Sequence, residues 1–184
     1  YDVVLSIFPF EKDWYAKRVP QLRVEFVGHP IADRYREGQG ASGGGRGAKG
    51  MPMLLLLPGS RTSELARHLP VMIGALALIH AQMPDLRVRM VLPNESLLQQ
   101  AKALSLPGNL EVQAGGLPES LADADVAIAS TGTVTTECAY FGVPTVALYK
   151  TSWSTWQVAK RIVRVKYGAM PNLLANEEVF PEFI

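Results

Sequence analysis

Apolar and polar positions change rhythm several times along the chain, and each change marks a predicted element. Two short apolar runs, Val3–Ile7 and Arg23–Val27, read as strands. Between them Phe8-Pro-Phe-Glu-Lys-Asp-Trp-Tyr15 predicts a turn followed by about two helical turns. Gly28-His-Pro30 punctuates the second strand, where His29 reads as part of a turn, with a ligand contact as the alternative.

From Met51 the rhythm alternates. Met53–Leu57 is apolar throughout, as expected of a strand buried on both faces, and Pro58-Gly-Ser-Arg-Thr-Ser63 reads as a loop. Leu65, Leu69, Met72, Leu76, Ile79 and Met83 then recur every three or four residues, one face of an amphipathic helix in which Pro70 is a candidate kink. Leu86–Leu92 predicts a second strand, and Glu95–Leu104 a helix turning Leu97, Leu98, Ala101 and Leu104 inward. Leu110–Val112, the helical piece Pro118–Ala122, and the strands Val126–Ala129 and Thr145–Tyr149 continue the alternation, and a helix is expected over Trp153–Val165.

Strands alternating with helices imply the α/β class: a Rossmann-like parallel sheet with helices on both faces. No internal repeat is visible. Gly38–Gly50 has almost no side chains able to build a core, so it reads as a flexible linker. The expected organisation is a small leading piece over 1–37, the glycine-rich segment 38–50, and a main domain over 51–184. The chain starts at Tyr1 inside a strand-like run and stops at Ile184 without a polar tail, so a fragment is expected.

Composition narrows the picture. With 184 residues, 48% hydrophobic and 19% charged, this is ordinary globular material. A formal charge of +1 gives no reason to expect nucleic acid as a partner. Cys138 is the only cysteine, so no internal disulfide can form, and His29, His68 and His80 share no ligand spacing, so no structural metal is expected. No apolar run approaches the roughly 20 residues of a spanning helix, and no signal peptide is expected.

Candidate chemistry lies in two loops. In Ser130-Thr-Gly-Thr-Val-Thr-Thr-Glu137 the chain turns from strand to helix at Gly132, with Thr133 as the expected N-cap. A helix start there offers unpaired N–H groups and hydroxyls suited to an anion; equally, Thr133 caps the helix and the other threonines satisfy their own turn. In the commonest open sheet of this kind the order is 3-2-1-4-5, which makes the first and fourth strands of the main domain neighbours and puts ligands beyond their carboxyl ends. That topology would bring Pro58–Ser63 beside Ser130–Thr133. Gly59 permits close approach, Ser60 can cap the following helix, and Arg61 offers a planar fork for phosphate oxygens. Glu64 reads as dipole compensation in the first helical turn. Glu137, one turn past Thr133, can accept from two sugar hydroxyls or stand as a solvated carboxylate. A nucleotide diphosphate is the ligand these loops favour. G-x-G-x-x-G after the first strand of the main domain and a Walker A motif are both absent from the sequence, which weakens oxidoreductase and P-loop readings.

Leu57-Pro-Gly-Ser-Arg61 with Glu64, Ser130–Glu137 followed by Gly142-Val-Pro144, Tyr149-Lys150 and Met170-Pro-Asn-Leu-Leu-Ala175 closely resemble the carboxyl-terminal half of the lipid-A-disaccharide synthases. Phe8-Pro-Phe-Glu11 and Val27-Gly-His-Pro30 resemble the last pieces of that family's amino-terminal domain, so the resemblance covers nearly all of the chain except the glycine-rich segment. It implies one half of a glycosyltransferase B fold and an inverting transfer of 2,3-diacylglucosamine from UDP to 2,3-diacylglucosamine 1-phosphate. The partners implied are UDP-diacylglucosamine, as substrate and not as a cofactor, and the acylated glucosamine 1-phosphate; no metal is implied. Gly59, Ser60 and Arg61 would approach the diphosphate, Thr131, Gly132, Thr133 and Thr135 would complete its cradle, Glu137 would contact the ribose, and Asn172 would line the donor pocket. No catalytic residue is expected, because the family's general base lies in the amino-terminal domain; the chain alone should bind nucleotide without turnover. Thr131 stands where serine is usual, and Val134 and Thr136 replace a common alanine and leucine. The alternatives are another UDP-sugar enzyme of the same fold, an N-acetylglucosaminyltransferase or epimerase, or a non-catalytic nucleotide-binding module.

From Lys150 to Asn176 there are five basic residues (Lys150, Lys160, Arg161, Arg164, Lys166) and no acidic one, with Trp153 and Trp156 among them. This segment either rests on an anionic membrane surface or packs its apolar stripe on the sheet. The resemblance implies a cytoplasmic protein peripheral to the inner membrane, or an organellar one in a plant or alga.

Overall fold

The computed structural model describes residues 1–35, 50–151 and 166–183. Two compact units emerge, Tyr1–Gly40 and Ala41–Ile184. The glycine-rich segment and the predicted helix Trp153–Val165, with its tryptophans, lie outside the described residues.

In the first unit β1 (Val3–Ser6) pairs in parallel with β2 (Arg23–Phe26), in a register running from Val3 with Arg23 to Ser6 with Phe26. Helix α1 (Pro9–Ala16) connects them, and α2 (Ile31–Arg34) follows. The carboxylate of Glu11, in the first turn of α1, accepts from the N–H groups of Ile7 at 3.1 Å and Phe8 at 2.9 Å, which satisfies two donors a helix start leaves over. His29 makes the turn: its Nδ1 accepts from the Ile31 N–H at 3.2 Å.

The second unit holds one sheet of six strands, all parallel, in the order β5-β4-β3-β6-β7-β8. These are β3 (Met53–Leu57), β4 (Arg87–Leu92), β5 (Leu110–Ala114), β6 (Val126–Ser130), β7 (Thr145–Leu148) and β8 (Glu182–Phe183). Every residue of β3 is buried, as its unbroken apolar run requires of a strand covered on both sides. Leu54 and Leu56 pack with Leu65, Leu69, Met72 and Leu76 of α3 (Thr62–Gln82) and Leu97, Leu98 and Ala101 of α4 (Glu95–Lys102). On the opposite face α5 (Leu117–Asp123) packs against β3 and β4 and buries Leu121. Helix α6 (Thr133–Tyr140) follows β6, and α7 (Met170–Ala175) packs on α6.

Helix ends depart from the periodic pattern. Met83 and Leu104 fall beyond α3 and α4 and are exposed, because an apolar residue at the right spacing faces the core only while the helix lasts. Pro70 lies within the continuous α3, where its missing N–H leaves the Ala66 carbonyl without its usual helical donor.

At the amino ends of the central strands, Asp125 and Met53 pair twice. Oδ2 of Asp125 accepts from the Met53 N–H at 2.8 Å, and the Asp125 N–H donates to the Met53 carbonyl at 3.0 Å.

Candidate functional site

Beyond the carboxyl ends of β3 and β6, where Leu57 stands opposite Ala129, two turns converge as the strand order requires. The first is Pro58–Arg61. Gly59 has φ +130°, and a Cβ there would come within 2.6 Å of Oε2 of Glu64. Glycine is therefore needed on two counts, backbone conformation and close approach. Arg61, in extended conformation, is the N-cap of α3, not Ser60 as the sequence suggested. Capping comes from Glu64 instead: Oε2 accepts from the Ser60 N–H at 2.8 Å, while Oε1 meets Nη1 of Arg61 at 2.7 Å. Partial burial pushes the Glu64 carboxyl up, but the Ser60 N–H, the Arg61 guanidinium and the Arg61 N–H outweigh it and hold the group below the usual carboxylate range. Glu11 does the same work at the start of α1, so a carboxylate reaching back over its helix start is local folding chemistry before it is ligand chemistry. What distinguishes the Glu64 site is the guanidinium, 77% exposed at the mouth of the crevice.

At the second turn Gly132, with φ +138°, is the N-cap of α6, and Thr133 is its first helical residue and not the cap. A Cβ on Gly132 would meet nothing within 4 Å, so conformation alone demands glycine here and the space in front of it is open. Thr133 is exposed and Glu137 half-buried; four residues apart, they share a helix face. Thr131 is tied to the neighbouring strand by its N–H, which donates to the Leu148 carbonyl at 3.2 Å. Thr135 departs from the expected cradle. It is fully buried, and its hydroxyl donates to the Gly132 carbonyl at 2.6 Å, so its proton is committed to holding the turn.

Asn172 departs further. It lies close by, since α7 packs on α6 and a Cβ on Gly168 would come 3.9 Å from Cγ2 of Thr131. Its side chain is nevertheless 0% exposed and used up by its own chain. Nδ2 donates to the Phe180 carbonyl and to Oε1 of Glu182, both at 2.7 Å, and Oδ1 accepts from the N–H groups of Val179 at 2.8 Å and Phe180 at 2.7 Å. Four bonds exhaust a primary amide. Asn172 ties α7 to the segment leading into β8 and has no capacity left for a ligand in this arrangement.

Sequence reasoning missed His68. It was weighed only as a metal ligand, yet it falls on the inward face of α3 beside Leu65, Leu69 and Met72, where a polar residue signals a buried hydrogen-bonding task. Nδ1 lies 2.8 Å from the Pro58 carbonyl, and Nε2 accepts from the Lys150 N–H at 3.1 Å. Among the described residues no group of three or more His, Cys, Asp or Glu could hold a metal, and no helix is long and apolar enough to cross a membrane.

A parallel sheet whose first and fourth strands in this unit end side by side under two glycine-bearing turns, each opening a helix, defines an α/β protein of the Rossmann-like class. The same fold is shared with a crystal structure of a GtfA/B complex, at a TM-score of 0.50 and 10% identity, over 100% of this chain and 35% of that one. The chain belongs to the lipid-A-disaccharide synthetase family, whose model matches residues 1–184. It is 35% identical over 190 residues to lipid-A-disaccharide synthase 1 of Legionella pneumophila subsp. pneumophila strain Philadelphia 1, covering 100% of this chain and 48% of that protein. Lipid-A-disaccharide synthases of Thiobacillus denitrificans, 37% identical over 188 residues (97% of this chain, 49% of the relative), and Geobacter sulfurreducens, 37% identical over 196 residues (100% and 48%), are similar in the same way. The chain spans about half the length of these relatives.

Proposed function

We propose that this chain supplies the donor side of a lipid-A-disaccharide synthase: it holds the UDP of UDP-2,3-diacylglucosamine while the sugar passes, with inversion, to 2,3-diacylglucosamine 1-phosphate. The observation that carries this reading is the meeting of the Pro58–Arg61 turn and the start of α6 at adjoining strand ends in a member of that family. Gly59 and Gly132 let backbone approach the diphosphate, while Ser60 and Thr131, whose N–H groups are engaged by Glu64 and Leu148, offer it hydroxyls, and Thr133 offers its N–H and hydroxyl. Glu137 accepts from the ribose hydroxyls. As the bond from sugar to phosphate breaks, negative charge grows on UDP, and Arg61 with the first N–H groups of α6 stabilises it where it develops.

Thr135 and Asn172 enter this reading as the groups that hold the turn and the segment leading into β8, through the bonds they make to their own chain. The nucleotide sugar is a substrate, and the reading calls for no metal or cofactor. Activation of the acceptor falls to the part of the family's length that this chain does not match, so the chain alone binds UDP without turning over. An anionic membrane surface at the cytoplasmic face of the inner membrane completes the proposed setting, supported by the basic, tryptophan-bearing sequence between Lys150 and Asn176.

Calorimetric titration with UDP, uridine and ADP tests this function. UDP is expected to bind and ADP to bind at least tenfold more weakly. Arg61→Ala should weaken UDP about tenfold, near 1.4 kcal/mol, and leave uridine almost unchanged. Failure to bind UDP, or equal binding of ADP, would sink the reading; equal losses for UDP and uridine would remove Arg61 from the diphosphate.

A further inference from the structure

His68 is 1% exposed, carries no role in the binding scheme above, and joins Pro58, ten residues before it, to Lys150, 82 residues after it. The Pro58 carbonyl can only accept a hydrogen bond and the Lys150 N–H can only donate one. A single tautomer satisfies both, with the proton on Nδ1 and the lone pair on Nε2. The surroundings therefore fix the imidazole chemically as well as in space.

The two segments belong to different strands. Pro58 follows β3, Lys150 lies just past β7, and β6 runs between those strands in the sheet. Strands two places apart are separated by about 10 Å, and one planar ring with a hydrogen bond at each end links the residues that follow them, Pro58 and Lys150. Tyr149 adds a ring contact, its centroid 6.0 Å from the imidazole.

We propose that His68 is a positioning residue: its imidazole braces the rim of the crevice, setting the separation between the turn that carries Gly59, Ser60 and Arg61 and the segment that carries Tyr149 and Lys150. Nothing soft intervenes, because the ring is rigid and its base on α3 is packed between Leu65, Leu69 and Met72, all buried. A crevice whose rim is fixed before the ligand arrives loses less conformational freedom on binding. Loss of the brace should therefore weaken ligand binding even where folding is retained. The consequence for nucleotide affinity rests on the proposed function; the brace itself does not.

Two measurements on the whole chain keep these apart. Without ligand, nitrogen NMR of His68 should show the Nδ1–H tautomer, and the Lys150 amide should be protected from hydrogen exchange. In His68→Leu, which retains bulk and removes both bonds, Lys150 should lose that protection while the amides of β3 and β4 keep theirs, and UDP affinity should fall about tenfold. His68→Gln, whose amide oxygen can reach the Nε2 position, should restore the Lys150 protection and most of the affinity at a thermal midpoint like that of His68→Leu. The other tautomer in the wild type, or an unprotected Lys150 amide, would overturn the brace. UDP affinity in His68→Leu within twofold of wild type would overturn its positioning role. A wild type that shows the tautomer and the protection but binds no UDP supports the brace and counts against the nucleotide reading alone.

Discussion

Oε1 of Glu64 lies 2.7 Å from Nη1 of Arg61, so the guanidinium at the first turn of the crevice is held by a carboxylate of its own chain three residues later. The other oxygen of that carboxylate takes the Ser60 N–H. Glu64 thus stands in the kind of position an anionic ligand would take, and under the proposed function a diphosphate would have to share Arg61 with it.

The titration of Glu64 follows from these bonds. Its folded carboxyl is held below the ordinary value of 4.5, so its stabilising contribution is complete above that value and is lost as pH falls through the lower folded one. Glu64→Gln should cost about 1 kcal/mol at neutral pH, and its urea-unfolding free energy should fall less than the wild type's on acidification. Identical pH dependence in the two proteins would show that Glu64 is not a source of acid sensitivity.

Gly59→Ala attacks the same contact from the other side. The new methyl would lie 2.6 Å from Oε2 and 2.7 Å from Cβ of Glu64, on a backbone with φ +130°. A loss of about 1 to 3 kcal/mol is expected from the strained conformation, with a further loss from eviction of the carboxylate. Because the two residues touch, Gly59→Ala should cost less in a Glu64→Ala background. Strict additivity in this double-mutant cycle would mean that the carboxylate is not displaced.

Asn172 gives an electrostatic test. Asn172→Asp replaces the Nδ2 donor 2.7 Å from Oε1 of Glu182 with a carboxylate oxygen. At neutral pH the like charges and the broken bonds should cost about 3 kcal/mol or more. The shared site favours one proton, which raises a folded carboxyl value above its unfolded one, so stability should recover in part as pH falls toward that raised value. Asn172→Ala also loses the bonds to Val179 and Phe180 but should show no such recovery. Thermal unfolding of both variants across pH separates the two outcomes.

What the sequence reveals depends on how local the cause is. The face of α3 is legible from Leu65, Leu69, Met72 and Leu76, because burial forces a helical period on whichever side meets the sheet. The neighbouring of β3 and β6 follows from alternating elements and the usual winding of such sheets. Helix starts were less legible. Ser60 and Thr133 look like caps by residue type, but the backbone enters α3 through Arg61 and α6 through Gly132, with Glu64 serving the first and no side-chain cap at the second. The commitments of His68 and Asn172 were hidden altogether. A polar side chain announces that it needs partners, but whether those partners are ligand or backbone is decided only when distant segments, such as Pro58 and Lys150, come together.

The pair of hydrogen bonds between Asp125 and Met53 has a consequence at the far end of the strands it joins. It fixes the register of β3 against β6 at their amino ends, away from the crevice turns. Side chains of these turns that make no bonds of their own to the frame, such as the exposed Thr133, can therefore be exchanged for new ones, by selection or by design, without shifting that register. Recognition can drift while the register stays in place.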